Sequence, residues 1–156
     1  MKTKIFILLL LSILTLSYNI KANNIDKVAN CGGLVVGNAA VDYIYGSEQA
    51  FTDGIKVAYY AYVPTLNGAA SLLNYSDEDR AFADQIFSSN IDKVINAYNN
   101  ENYDTALYEE IVGCYRMLGL VLIDPATQYY LKDSKDVVDA KIEKTINNLK
   151  RIFDAM

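Results

Sequence analysis

The sequence predicts one all-α domain of five to seven helices, stapled by a single long-range disulfide. Three observations lead there. Apolar residues recur at helical spacing through most of the chain, and no stretch keeps the period-two alternation of a strand. The 156 residues, 52% apolar and 21% charged, suffice for one core but not for two ordinary domains. Two cysteines follow a leader of the export type, and an oxidising compartment pairs them.

The leader reads from the first residue. Met1-Lys2-Thr3-Lys4 is a short basic start, and Ile5 to Leu16 is dominated by leucine and isoleucine. Ser17 to Ala22 then ends in the small residue that a signal peptidase requires, although Ile20 is bulky for the position two before it. The apolar run falls well short of the roughly 20 residues that span a bilayer, which favours a cleaved signal over an anchor. Residues 1–22 are thus expected to be a cleaved signal peptide and 23–156 the domain. Asn30 before Cys31 does not suit a lipidation site. Cleavage removes Lys2, Lys4 and Lys21, leaving 11 basic against 19 acidic residues and a net charge of −8. Such a surface repels phosphate backbones and anionic headgroups, so neither nucleic acid nor a membrane surface is an expected partner.

Asn24 is placed to cap a first helix that runs to about Tyr45 and stops at Gly46. At about 100° per residue, Leu34, Val35, Asn38, Asp42 and Tyr45 fall within about 60° of Cys31. Gly33 and Gly37, with Ala29 and Ala40 nearby, form a small-residue stripe that lets another helix approach closely. A second helix is expected over Ser47–Tyr62, with Phe51, Ile55, Ala58, Tyr59 and Tyr62 on one side, ended by Pro64. Leu66 to Leu73 reads as a separate short helix. Ser76 is placed to cap a third long helix, with Asp77, Glu78 and Asp79 in its first turn and Ala83, Phe87, Ile91, Val94 and Tyr98 on its apolar side. Asn99 to Asn102 is a polar break.

Tyr103 to Ile123 follows, so apolar that a central position is expected; Leu107, Ile111, Cys114, Leu118 and Val121 form its main stripe. Pro125 suits the first residue of a short helix to about Leu131. Asp133 or Ser134 then caps the last helix, whose stripe is Val138, Ile142, Thr145, Leu149 and Ile152.

Cys31 and Cys114 lie 83 positions apart. Closing a loop of that length is worth about 4 kcal/mol on the chain-entropy account. Each cysteine has a glycine beside it, Gly32 and Gly113, which suggests close approach of the first and the central helix at the bridge. The competing possibility is a pair of buried free thiols.

Candidate functional residues fall in two groups. Asn38 and Asp42 share the Cys31 side of the first helix, and Glu110 lies one turn before Cys114. Antiparallel packing would bring all three to one side of the bridge as a buried polar cluster, able to share a proton or hold a cation. The second group is tyrosine. There are 13 in the chain against 5 phenylalanines, and Tyr43, Tyr45, Tyr59, Tyr60 and Tyr62 crowd one stretch. Tyrosine joins an apolar ring to a wet hydroxyl and suits both core boundaries and binding surfaces. Tyr59 and Tyr60 point about 100° apart, so both cannot enter one core.

The chain has no histidine, which removes histidine-based nucleophilic catalysis, histidine-ligated zinc and histidine proton shuttling. Gly32 to Gly37 lacks the lysine of a phosphate loop, and Asp77-Glu78-Asp79 lacks the pattern of a calcium loop. No catalytic residue, cofactor or metal is therefore expected. The leading expectation is a non-enzymatic periplasmic or secreted helical protein that binds another exported protein, as inhibitor, immunity protein, adaptor or assembly subunit. A small-molecule binder with a tyrosine-lined pocket is the alternative, and a carboxylate-dependent hydrolase using Asp42 and Glu110 the third.

Overall fold

The computed structural model describes residues 25–73 and 75–155, so the expected signal peptide and the expected Asn24 cap lie outside the described residues. Within them the chain is all helix, with five elements and no strand. They are α1 (25–44), α2 (Glu48–Leu73), α3 (Asp77–Asn99), α4 (Thr105–Ile123) and α5 (Pro125–Phe153). Among the described residues, no helix is long and apolar enough to cross a membrane.

The bundle is organised around α1. From Cys31 to Val41 every residue except Asn38 is buried, which is three full turns with no solvent face. Small side chains make this enclosure possible. A Cβ at Gly33 would lie 2.1 Å from the backbone oxygen of Phe87, and one at Gly37 would lie 2.7 Å from Cβ of Val94. The small-residue stripe is thus the seat of α3, which runs in the same direction as α1 with its backbone almost against it. Gly32 serves the same contact, because its missing Cβ leaves room for the Phe87 ring.

The disulfide joins Cys31 to Cys114 with Cα atoms 4.8 Å apart, as the sequence predicts, and ties α4 to α1 in antiparallel sense. The glycines beside the cysteines play another part than expected. Gly113 is exposed and a Cβ there would meet nothing within 4 Å, while Gly32 faces α3. Nor is α4 the central helix. Leu107, Ile111, Cys114 and Leu118 are buried, but Tyr108, Leu120 and Ile123 are exposed. Hydropathy alone ranks α4 first; the ability to be surrounded depends on side-chain size, and there α1 wins.

Two expected breaks are absent. Pro64 lies fully buried inside α2, which continues to Leu73. A proline there costs one backbone hydrogen bond. The Thr65 hydroxyl donates to the Ala61 carbonyl at 2.7 Å in the same turn, and Val63, Leu66 and Ala69 bury the helix on both sides of it. Likewise α5 runs unbroken from Pro125, because the Ser134 hydroxyl donates back to the Tyr130 carbonyl at 2.6 Å instead of capping a new helix. Asp124 starts α5, accepting from the Thr127 amide at 3.0 Å. Ser76 and Asp79 form a reciprocal capping box at α3, whose amide and hydroxyl donors hold the Asp79 carboxyl below its ordinary range.

Antiparallel pairing of α2 and α5 closes the bundle. Tyrosine hydroxyls stitch it together: Tyr59 meets Thr145 at 2.9 Å, Tyr60 donates to Asp139 at 2.7 Å, and Tyr62 donates to Asp84 of α3 at 2.6 Å. The Tyr62 ring stacks on Phe87 with centroids 4.7 Å apart, beneath the glycine seat of α1.

This packing distinguishes the glycines. Gly33→Ala is expected to lower unfolding free energy by about 1–3 kcal/mol, because backbone faces backbone and neither yields cheaply. Gly113→Ala, on an open helix face, is expected to raise it by up to about 1 kcal/mol. Urea denaturation of the two oxidised variants checks both signs.

Candidate functional site: a tyrosine-lined cleft

A cleft of about 660 Å³ opens where α1 and α3 end side by side and α4 begins. Its floor and one wall come from the last turns of α1, through Asn38, Val41, Asp42 and Tyr45. The end of α3 and the turn after it supply Tyr98, Glu101 and Tyr103. The opposite wall is α4, with Tyr108, Ile111, Val112 and Tyr115. Five tyrosine rings and two carboxylates therefore line one hollow, and among the described residues no lysine or arginine does.

Local chain chemistry sets both helix ends. α1 ends in a tight left-handed cap: the Gly46 amide bonds the Tyr43 carbonyl and the Ser47 amide bonds the Asp42 carbonyl, each at 2.9 Å. Gly46 has φ +82°, the conformation glycine adopts without steric cost. α3 ends in the same motif, with Glu101 to Tyr98 at 3.1 Å and Asn102 to Ala97 at 2.7 Å. There the left-handed position holds Glu101, at φ 58°. A side chain in that region costs roughly 1–2 kcal/mol relative to ordinary backbone. The residue held in that strained conformation, Glu101, is one of those that line the cleft.

A hydrogen-bond relay runs along the floor. The Tyr103 hydroxyl donates to Asn38 Oδ1 at 2.6 Å, and Asn38 Nδ2 donates to Asp42 Oδ2 at 3.1 Å. Among the described residues no other side chain bonds the Asp42 carboxylate. Partial burial raises the Asp42 carboxyl above its ordinary range. Burial also raises the Tyr103 phenol, assisted by the nearby charge of Asp42, and pushes Tyr115 up to about 12. Both phenols therefore stay protonated at neutral pH. At the rim, Tyr45 and Tyr98 meet edge to face, centroids 5.8 Å apart and planes at 79°, and form an aromatic corner. Tyr45 is 73% exposed.

The predicted residues divide. Of the cluster expected on one side of the bridge, Asn38 and Asp42 line the cleft, joined there by Tyr45 from the tyrosine group. Glu110 does not join them: it lies exposed on the side of α4 nearer α3, paired with Lys93 at 2.9 Å. Glu110 is not among the residues that line the cleft with Asp42. Tyr59 and Tyr62 are packed between helices, Tyr60 is half-buried, and their hydroxyls are taken by Thr145, Asp84 and Asp139. Tyr43 stacks near Phe51 and donates to Asp154 at 2.9 Å, away from the cleft. Tyr98, Tyr103, Tyr108 and Tyr115 carry no site signal in the sequence, where Tyr98 reads only as part of the apolar side of its helix. Their common place depends on three elements meeting; only the Asn99–Asn102 break between tyrosine-bearing helices hinted at it.

Comparison with known proteins returned no match: no family, no curated protein and no solved structure is similar to the chain.

Two substitutions read the strain in this site. Glu101→Gly is expected to stabilise the fold by about 0.5–1 kcal/mol by relieving the left-handed side chain. Asp42→Asn keeps a hydrogen-bond acceptor for Asn38 but removes a charge whose folded carboxyl titrates above its unfolded value. A raised carboxyl favours the fold only while protonated, so the aspartate is relatively destabilising once the pH exceeds both values. Thermal melts of Asp42→Asn should therefore lie above wild type at pH 7, with the gap closing toward pH 3.

Proposed function

We propose that this is an exported small-molecule-binding protein whose site is the tyrosine-lined cleft. The single observation that carries the reading is the convergence of five tyrosines, the Tyr103–Asn38–Asp42 relay and the strained Glu101 on one cleft. Its volume lies in the range of ordinary ligand sites, roughly 300–1,000 Å³. Backbone outliers gather at binding sites, and this one borders the hollow. Export is supported by the leader-like residues 1–22 and by the disulfide, which suits an oxidising compartment. The reading is of binding without chemistry.

Docking of another exported protein is the second reading, and one observation favours it. Leu72 and Leu120, 67% and 68% exposed, line adjoining hollows that share Thr65, Asp124 and Thr127 at the opposite end of the bundle. Exposed apolar side chains gathered in this way are typical of protein contacts.

Amide NMR spectra of the oxidised protein, titrated with a fragment set of mixed charge, separate the two. The first reading predicts saturable shifts confined to residues 38–46, 98–104 and 108–115. A fragment set that leaves those amides unmoved contradicts it.

A further inference from the structure

We infer that the cleft selects small organic ammonium cations, quaternary or protonated amines, held by the carboxylates of Asp42 and Glu101 and by the tyrosine rings around them. The inference rests on the small-molecule reading above and names its ligand class.

Four features of the cleft favour positive charge. Asp42 and Glu101 both face it, neither engaged in an ion pair among the described residues. The C-terminal ends of α1 and α3 both abut it, and a helix C-terminus carries the negative end of the backbone dipole. The last turn of α3 contains no basic residue to offset this. The amino end of α4 also lies there, but its dipole is answered by Asp104, which accepts from the Leu107 amide at 2.9 Å. An anionic ligand would meet all of these as repulsion.

The lining also chooses among cations. A metal ion such as calcium wants some six to eight oxygen ligands at short range. Among the described residues no cluster of three or more acidic, cysteine or histidine side chains is arranged to supply them. Tyrosine rings instead attract a diffuse cation whose methyl or methylene groups pack against the ring. The Tyr45–Tyr98 corner offers two rings at nearly a right angle, the arrangement that contacts a rounded ammonium group on two sides. Tyr103, Tyr108 and Tyr115 add further ring surface, and Ile111 and Val112 give an apolar patch for the rest of the ligand. The Tyr103–Asn38–Asp42 relay holds the carboxylate in place by its Oδ2 and leaves the other oxygen for the cation.

The test uses choline and its uncharged carbon isostere, 3,3-dimethylbutan-1-ol, titrated calorimetrically into the oxidised protein. Tyrosine emission gives a second readout, clean because the chain has no tryptophan. Choline is expected to bind at least about tenfold more tightly than the isostere, the ratio one desolvated cation–π contact supplies. Asp42→Asn is expected to reduce that preference several-fold, leaving the share that the tyrosine rings supply. Glu101→Gln, on the exposed rim, serves as an independent variant should Asp42→Asn fail to fold. Equal binding of choline and the isostere, or tighter binding of an anion such as benzoate, overturns the ligand class while leaving a small-molecule site. Absence of binding by choline, isostere and every neutral or anionic fragment overturns the underlying reading as well.

Discussion

Everything in this fold depends on the enclosure of α1. A helix with no solvent face over three turns must be narrow, and Gly32, Gly33, Gly37, Ala39 and Ala40 make it so. Where the Cβ is missing at Gly33, the backbone of α3 takes its place; at Gly32 and Gly37 side chains of α3 do, and where Gly54 of α2 faces Ala39, the same economy operates. The disulfide then fixes α4 on a third side. Burial of the remaining valines, leucines and the Phe51 and Ile55 side chains of α2 adds about 1.5–3 kcal/mol per large side chain, before conformational entropy is set against it.

The cleft follows from the same constraint. A surrounded helix has no place for polar groups except near its end, and Asn38 and Asp42 occupy that end. α3 runs parallel to α1 and stops beside it, so two helix termini and the start of α4 leave a hollow that none of them fills. What lines that hollow lowers stability: a partly buried aspartate, a glutamate in left-handed backbone and exposed aromatic rings. Sites that bind something commonly carry such costs, which the rest of the fold offsets. The other tyrosines do the opposite. Tyr59, Tyr60 and Tyr62 spend ring and hydroxyl alike on joining α2 to α5 and α3.

Much of the fold is legible in the residues. Gly46 stops α1, Ser76 and Asp79 start α3, and a single pair of cysteines has one way to close. Pro64 and Ser134 mislead because local rules describe isolated segments, whereas burial around Pro64 carries α2 through it and the Ser134 hydroxyl turns back to the Tyr130 carbonyl within α5. The choice of α4 as the centre fails for a related reason: apolarity measures the wish to leave water, and size decides which helix can be surrounded. In the site, Asn38, Asp42 and Tyr45 are legible from one helical face. Tyr98, Tyr103, Tyr108 and Tyr115 are not, since their meeting is a property of three elements. The positive φ of Glu101 has no sequence signal, because the position it occupies is one that glycine ordinarily marks.

The central claim, that α1 is the enclosed axis from which the bundle and its cleft are built, is tested most directly by native-state hydrogen exchange of the oxidised protein. The account predicts that the amides of residues 34–41 exchange only by global unfolding and are the slowest in the chain, slower than those on the outer half of α4. Exchange of those amides ahead of α4 and α5, with the rest of the bundle still protected, would contradict it.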